Sequence, residues 1–208
     1  MRVGRVIRRA MGPFERSGTY AYRRLFVDLD AVARRMRWLA PAASVLEVGC
    51  GEGMYTEHIA FHYREATITA IDVSERAGRL FRGDRRRVEF RVETIAACVA
   101  SRPRSFELAV LCDVLHHVHR DEQANFLEMV KNALAPGASV FVKEWERRTN
   151  LGYVAGWASD RLLTGDRVAF RSAAEWRALL EHVFGAGSVR TESRVGPWSN
   201  NVCLLVKT

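Results

Sequence analysis

The chain lacks several features that would assign it to a class of protein at once. No apolar run in its 208 residues approaches the roughly 18 residues that a membrane-spanning helix requires. Its four cysteines are scattered singly, without a C-x-x-C pair, which predicts free thiols, no structural zinc and a reducing, cytoplasmic location. The basic N-terminus is not followed by an apolar core with a small-residue cleavage site, so we expect no secretory signal.

Lysine is also scarce, although the chain is strongly basic. Only three of the 32 basic residues are lysines, and the formal net charge is +8. Residues 1–40 contain ten arginines against three acids, so they account for nearly all of this charge. An arginine skew of this kind commonly reflects a GC-rich genome, and we expect solvated helix faces rather than a nucleic-acid partner.

The N-terminal part has helical patterns. Residues 1–14 place apolar side chains at helical spacing with arginines between them. Such a segment would lie over a substrate pocket, make peripheral contact with an anionic membrane, or pack on its own domain, which is the simplest alternative. A second helix is predicted from Ser17 or Thr19 to about Ala40. For residues 1–43 as a whole, we expect an N-terminal helical segment that contributes to the substrate pocket or serves as its lid.

From residue 44 onward, predicted strands and helices alternate. The strands are Ser44–Val48, Thr67–Ile71, Val88–Val92, Glu107–Cys112, Ala138–Lys143, Ser188–Arg194 and Asn201–Lys207, and the helices are Tyr55–Tyr63, Glu75–Phe81, Glu122–Ala135 and Ser172–Val183. This alternation predicts one α/β domain over residues 44–208, with a mostly parallel sheet and helices on both faces. The last two strands are too close in sequence for a crossover, so we expect an antiparallel pair.

The turn after the first predicted strand is the most informative stretch. It reads E-V-G-C-G-E-G over residues 47–53, and its alternate glycines permit a sharp turn and close approach of a ligand. A dinucleotide-binding turn would read G-x-G-x-x-G and meet a diphosphate. Glu47 and Glu52 would repel a diphosphate and instead favour a ligand that carries positive charge, such as an ammonium or a sulfonium.

Later strands also end in polar residues, where a parallel sheet binds its ligands. Asp72 lies about 20 residues beyond the glycines, at the position from which an acid accepts hydrogen bonds from ribose hydroxyls. Glu93 follows the third predicted strand, and the run C-D-V-L-H-H-V follows the fourth, over residues 112–118. For Glu93, binding of a ligand and simple exposure to solvent in a loop are equally good interpretations.

Together these segments resemble the class I S-adenosylmethionine-dependent methyltransferases, and most closely the small-molecule branch related to ubiquinone and menaquinone methyltransferases. The resemblance spans about residues 44–208 and rests on VLEVGCGEG at 45–53, AIDVS at 70–74, LAVLCDVLHHV at 108–118 and NALAPGASVFVKE at 132–144. It implies methyl transfer from S-adenosylmethionine to a small-molecule acceptor. It also implies a Rossmann-like seven-stranded sheet of order 3-2-1-4-5-7-6 with strand 7 antiparallel.

The resemblance further implies which residues bind the cofactor. They are Glu47, Gly49, Cys50, Gly51, Gly53, Asp72, Val73, Glu93, Thr94, Cys112 and Asp113. The glycines and the last two residues would line the methionine part, and Glu47 would help to position it. Asp72 would bind the ribose, Val73 would pack on the adenine, and Glu93 with Thr94 would lie at its amino group. We expect no metal ion.

Methyl transfer needs a general base only when the acceptor is a hydroxyl, an acidic carbon or a protonated amine. The candidates are His116, His117 and Glu144, near the ends of the fourth and fifth predicted strands. Histidines at this position also serve packing, which is the more common role.

Substrate choice is expected in the N-terminal segment and in an insertion at about 145–171. The insertion contains Trp145, Tyr153, Trp157 and Phe170, which form either a movable lid or part of the core. An RNA or protein methyltransferase that uses the basic N-terminus, and a non-catalytic cofactor-binding protein, are the rival functions. Both a monomer and a homodimer are compatible with the sequence.

Overall fold

The computed structural model describes residues 12–159 and 168–208 and contains a seven-stranded sheet. The strands are β1 Ser44–Val48, β2 Thr67–Asp72, β3 Val88–Val92, β4 Phe106–Cys112, β5 Leu134–Trp145, β6 Val189–Arg194 and β7 Asn201–Lys207. Their order is β3-β2-β1-β4-β5-β7-β6, and β7 runs antiparallel to both of its neighbours. The predicted fold, strand order and antiparallel final pair are confirmed.

Helices flank the sheet. They are α1 Glu15–Phe26, α2 Leu29–Leu39, α3 Met54–His62, α4 Ile95–Ser101, α5 Gln123–Ala133, α6 Leu151–Ser159 and α7 Ala173–Phe184, with short 3-10 turns at Gly12–Phe14 and Leu115–His117. None of the helices in the described part of the chain is long and apolar enough to cross a bilayer. Most of the segment 1–14, for which a helix is predicted, lies outside the described residues.

Two apolar clusters cover the two faces of the sheet. Adjacent strand residues point to opposite faces, so Val45 packs with Met36 of α2 and Ile59 of α3, whereas Leu46 packs in the cluster that contains Trp176 of α7. Each such side chain is fully buried, which stabilises the fold by roughly 1.5–3 kcal/mol per large residue. Helix α2 shares its core with residues beyond 44, and the domain division between 43 and 44 stays a prediction.

The single helix predicted from Ser17 or Thr19 to Ala40 is wrong, because two helices occupy this range. The chain breaks at Val27, which forms an isolated bridge with Pro197 of the segment before β7. Asp28 then caps α2 by accepting a hydrogen bond from the Ala31 amide at 3.0 Å. Such a cap contributes about 1 kcal/mol, and it starts the second helix in a new direction.

The helix predicted at Glu75–Phe81 is also wrong, because this segment consists of turns. Gly78 has a φ of +67°, and a Cβ atom there would lie 2.4 Å from the ring of Phe90. The backbone therefore passes directly beneath the ring. The structure adds two helices that the sequence patterns did not predict: α4, which Thr94 caps, and α6, within the insertion.

Candidate cofactor and active site

Three neighbouring strands bring the predicted site residues to one edge of the sheet. Val48 at the end of β1 lies opposite Ile71 of β2 and Leu111 of β4. Because all three strands are parallel, the segments that follow them meet at their carboxyl ends, where such sheets bind ligands.

The glycine turn contains one position that the packing of the chain leaves open. A Cβ atom on Gly49 would lie 2.5 Å from the side chain of Val114, and one on Gly53 would lie 2.9 Å from the Cα atom of Gly78. These two glycines are therefore required by contacts within the protein. A Cβ atom on Gly51 would meet no atom of the described residues within 4 Å. Gly51 faces open space that a ligand can fill.

Asp72 lies beside this opening at the end of β2. Its carboxylate accepts hydrogen bonds from the Gly51 amide at 2.7 Å and from the Ser74 amide at 2.8 Å. These bonds fix the carboxylate against the glycine turn. The next side chain, Val73, is 75% exposed. A fixed acid beside an exposed apolar side chain can bind a hydroxylated sugar and the flat ring attached to it.

Glu47 is buried in β1 behind the glycine turn. Burial disfavours the ionised carboxylate and raises the pKa of Glu47 to about 7. Its Oε2 atom is buried and accepts no hydrogen bond from the described residues. Buried acceptors in native proteins nearly always have a donor. A ligand with N–H groups or positive charge would therefore satisfy Glu47.

The two residues that follow β3 differ in whether their side chains already accept hydrogen bonds within the chain. The Thr94 hydroxyl accepts a hydrogen bond from the Ala97 amide at 3.2 Å, so it caps α4. The Oε1 atom of Glu93 is buried and accepts no hydrogen bond in the described part of the chain; a guanidinium nitrogen of Arg91 lies 3.7 Å away. Of these two residues, Glu93 is therefore the one that can accept a hydrogen bond from a ligand.

Two cysteines belong to the predicted site. Cys50 is 6% exposed, and Cys112 is the last residue of β4. Burial raises the pKa of both thiols above the usual range. Since the thiolate is the reactive form of cysteine, burial disfavours nucleophilic reactivity at both residues.

The buried Lys143 forms an ion pair with Asp113, whose side chain is 31% exposed, at the ends of β4 and β5. The Lys143 Nζ atom lies 2.7 and 2.6 Å from the two carboxylate oxygens of Asp113, and Lys143 is 1% exposed. Burial alone would raise the pKa of Asp113, but the Lys143 ammonium outweighs it and holds that pKa below the usual value. The φ of Asp113 is +56°, so the ion pair also stabilises an uncommon backbone conformation.

Glu144, the next residue of β5, holds the segment that follows Asp113. Its Oε1 atom accepts hydrogen bonds from the Val114 and Leu115 amides at 3.0 and 2.7 Å, and Oε2 lies 2.5 Å from His116 Nδ1. A carboxylate that accepts from two amides favours the donor form of Nδ1, which leaves Nε2 as the basic nitrogen. His117 is exposed, and its ring centroid lies 4.2 Å from that of His116.

The C-terminal end of the insertion packs against His116. The His116 carbonyl accepts a hydrogen bond from the Ala169 amide at 2.8 Å, and the Phe170 ring lies 5.1 Å from the imidazole. Phe170 and Trp145 are both buried, and Tyr153 packs edge-on against Phe170 at 6.1 Å. The side chain of Trp157 lies outside the described residues.

Comparison with known proteins decides the family. The family model described as "methyltransferase domain" matches residues 18–183, well over half of the chain. The chain belongs to this methyltransferase family.

Individual relatives agree with this assignment. The ubiquinone biosynthesis O-methyltransferase of Xanthomonas campestris pv. campestris (strain B100) is 30% identical over 125 residues, which cover 58% of this chain and half of that relative. The protein of the same name from Xylella fastidiosa (strain M23) is 28% identical over 88% of this chain and 76% of its own length. The fold is similar to that of Burkholderia thailandensis 1,6-didemethyltoxoflavin-N1-methyltransferase, with a TM-score of 0.67 and 18% sequence identity. The similarity covers 98% of this chain and 87% of that protein.

Helix α1 of this methyltransferase crosses the same edge of the sheet. Its N-terminal end is held by the ion pair between Arg16 and Glu57 at 2.7 Å, and Phe26 at its other end packs on Trp145 at 5.9 Å. Between these contacts, Arg23 acts electrostatically on Glu47 and on Asp113. The sequence patterns did not identify Arg23, because nothing distinguishes it from the other N-terminal arginines. Lys143 was also missed, although a lone lysine in an apolar strand is a usable signal.

One cluster of the methyltransferase has the donor types of a metal site. One ligand atom from each of Asp113, His116 and Glu144 lies within 4.8 Å of the others. Lys143 already neutralises Asp113, and two amides and an imidazole already occupy Glu144. A metal ion would have to displace these donors. The expectation that no metal is used stays a prediction.

Proposed function

We propose that this methyltransferase transfers a methyl group from S-adenosylmethionine to a hydroxyl group of a small aromatic acceptor. The observation that carries the proposal is the opening at Gly51, with the fixed carboxylate of Asp72 beside it and the buried Glu47 Oε2 atom, which has no donor among the described residues, near the end of β1. The chain spans half the length of the first curated relatives that it matches, so the activity is inferred from its own residues as well as from theirs.

The open acceptors match the groups of the cofactor. In the proposal, Asp72 accepts from the ribose hydroxyls, Val73 packs on the adenine, and Glu93 accepts from the adenine amino group. Glu47 and Gly51 face the methionine part, where the ammonium and the sulfonium would lie against the buried Glu47 carboxyl. The cofactor, when bound, supplies an electrophilic methyl group on its sulfonium. Thr94 is assigned to capping.

The main contribution of the chain is alignment. Holding two reactants in the correct geometry can supply roughly 7–11 kcal/mol. Glu47, whose pKa is about 7, becomes fully ionised when a cationic group lies beside it, which suits a cationic reactant. Acid–base groups are needed in addition because a neutral hydroxyl is a poor nucleophile, and a general base contributes about 10²–10⁴-fold.

In the proposal, His116 is the base and Glu144 positions it. Glu144 is fully buried and accepts three hydrogen bonds, so its own carboxylate is engaged. Those bonds turn the imidazole so that Nε2 is the atom that takes the proton. The Phe170 ring lies 5.1 Å from the imidazole, so an acceptor that reaches Nε2 would lie close to Phe170. His117 lies beside the ring and contributes to the shape of the pocket.

The relatives indicate the kind of acceptor. The curated relatives are named as O-methyltransferases of ubiquinone biosynthesis, and one structural neighbour holds 1,6-didemethyltoxoflavin with S-adenosylhomocysteine. These names favour a ring system as the acceptor. The aromatic residues Tyr153 and Phe170, beside His116, are suited to pack against a ring.

Calorimetry with S-adenosylhomocysteine tests the cofactor assignment first. Asp72→Ala should weaken binding at least tenfold, which is about 1.4 kcal/mol, whereas Asp121→Ala removes an exposed acid (side chain 90% exposed) and should leave binding unchanged. Absence of binding by the unmodified protein would refute the enzyme assignment. Mass spectrometry of a panel of phenols, catechols and hydroxylated heterocycles then shows which compounds gain a methyl group; transfer only to RNA or protein would refute the proposed acceptor class.

We place the enzyme in the reducing cytoplasm, with peripheral membrane contact through residues 1–14 and the outer side of α1. The four cysteines are free, which supports a reducing location. Phe14 and Leu25 lie on the same side of the helix and are 72% and 66% exposed. Sedimentation with anionic vesicles, compared with neutral ones, tests this contact, and Leu25→Ser should reduce it.

A further inference from the structure

A second cavity lies away from the glycine turn, on the outer side of α3. Its volume is about 820 Å³, and it is bounded by α1, α2, α3 and the loop at residues 82–87. This size falls within the usual range for small-molecule sites. Neither Asp72 nor any residue of β4 or β5 lines it, so it is separate from the proposed cofactor pocket.

The acids that line this cavity already have partners. Asp30 is hydrogen-bonded to His62 at 2.8 Å, and Glu57 pairs with Arg16 at 2.7 Å. Asp84 pairs with the neighbouring Arg86, also at 2.8 Å. The charges of Glu57 and Asp84 are therefore balanced by arginines, and the Asp30 carboxylate is engaged in a hydrogen bond.

Three guanidinium groups at the cavity are not compensated in this way. Arg64, Arg82 and Arg87 pair with no carboxylate in the part of the chain that the structure describes. Arg87 is held by the carbonyls of Tyr63 and Ala66 at the end of α3, at 3.0 and 3.1 Å. Arg64 and Arg82 are exposed and line the same cavity, and the planar guanidinium group of each can donate two parallel hydrogen bonds to a phosphate.

Aromatic rings border the same cationic groups. Phe61 is 59% exposed, and the Arg64 guanidinium lies over its ring at 5.3 Å. Tyr20 of α1 stacks on His58 at 6.3 Å with an interplanar angle of 17°. A flat ring next to a phosphate would therefore find both stacking surface and positive charge.

We propose that this cavity binds the phosphate group of a ligand through Arg64 and Arg82. In a nucleotide-like ligand, the ring attached to the phosphate would pack beside Phe61. The phosphate would come either from a free nucleotide-like molecule or from the headgroup of an anionic lipid. The proposal does not depend on methyl transfer.

Calorimetry on the full chain with pyrophosphate and with adenosine monophosphate tests the site, and a flotation assay compares phosphatidylglycerol with phosphatidylcholine vesicles. We expect saturable binding below about 1 mM, which added salt weakens. Arg82→Ala and Arg64→Ala should each weaken it at least tenfold. Arg190→Ala removes an equal charge from an exposed residue of β6, at the opposite edge of the sheet, and should leave the affinity within about twofold.

The outcomes separate the two sources. Binding of the soluble ligands with this pattern of variants identifies a free phosphate compound. Binding of phosphatidylglycerol vesicles alone, with the same pattern, identifies a lipid headgroup. Absence of binding to all probes, or equal binding by Arg82→Ala, Arg64→Ala and the unmodified chain, overturns the proposal. Binding of S-adenosylhomocysteine by each variant shows that it is folded; if the unmodified chain does not bind this compound either, thermal denaturation provides that control.

Discussion

Substitution of Glu144 separates its structural role from its role in positioning His116. Glu144→Ala would leave the Val114 amide, the Leu115 amide and His116 Nδ1 without their acceptor. Each buried donor that loses its partner costs about 1–3 kcal/mol, so the loss is about 3–9 kcal/mol. This is comparable to the whole stability of a domain, about 5–15 kcal/mol. We expect the alanine variant to be largely unfolded.

Glu144→Gln replaces glutamate with a side chain of nearly the same shape, and we expect a different effect from that of the alanine variant. Its amide oxygen can still accept from Val114 and Leu115, while its amide nitrogen becomes a donor toward His116. The imidazole must then accept at Nδ1 and carry its proton on Nε2, the atom that is the base in the proposed reaction. Loss of charge weakens the hydrogen bonds by about 1 kcal/mol each, but it also removes the cost of burying a charge. We expect a net loss of only about 1–2 kcal/mol.

The assays follow from this difference. Urea denaturation should show a folded glutamine variant, and calorimetry should show unchanged affinity for S-adenosylhomocysteine. Nitrogen NMR of labelled histidine should show the proton of His116 on Nδ1 in the unmodified protein and on Nε2 in the variant. Turnover at neutral pH should fall about 10²–10⁴-fold, and the deficit should narrow as the acceptor hydroxyl begins to ionise by itself. A folded Glu144→Gln enzyme with full turnover at neutral pH would refute His116 as the base.

Three further substitutions test the rest of the site. Because burial raises the pKa of Glu47 from 4.5 to about 7, the native state holds more protons than the unfolded state between these values; the free energy of unfolding should fall by about 3 kcal/mol as pH rises through this window. Urea denaturation at pH 5 and 8 should show this loss in the unmodified protein and in exposed Glu65→Gln, but not in Glu47→Gln; equal losses in all three would exclude Glu47 as the cause. Gly51→Ala should fold with a loss of only about 1–2 kcal/mol and lose binding of S-adenosylhomocysteine, whereas Gly53→Ala should mainly lower the melting temperature; tight binding by Gly51→Ala would show that the opening is not used. Lys143→Met should cost about 3 kcal/mol, at the low end for a broken buried pair, because Asp113 is partly exposed. The double variant Lys143→Met, Asp113→Asn should lose less than the sum of the losses of the two single variants; if the losses simply add in denaturation experiments, the ion pair does not hold the turn.

The sequence predicts most of the strands because their boundaries are marked locally. β3 and β7 have the predicted limits, since apolar residues there lie between polar or glycine-containing turns. The glycine turn and Asp72 are also marked locally in the sequence. Because β1 and β2 are parallel neighbours, the residues that follow them lie together at the carboxyl edge of the sheet.

Other features depend on contacts between distant residues. The helix predicted at Glu75–Phe81 does not form because Gly78 packs under Phe90, which is twelve residues away. The predicted long N-terminal helix breaks where Val27 meets Pro197. A capping residue marks the start of the second helix, so Asp28 is a signal that sequence reasoning could have used.

The buried charges of β5 explain why the sequence could name three candidate bases but could not show which of them has the right geometry. Lys143 and Glu144 are neighbours in a strand, so their side chains leave on opposite faces of the sheet. Lys143 holds Asp113 on one side, and Glu144 holds the amides and the imidazole of residues 114–116 on the other. One strand end thus fixes the whole turn after β4 from two directions. Spacing along the chain shows two histidines and one glutamate; only the register of β4 against β5 shows that Glu144 reaches His116 and that His117 is left on the surface.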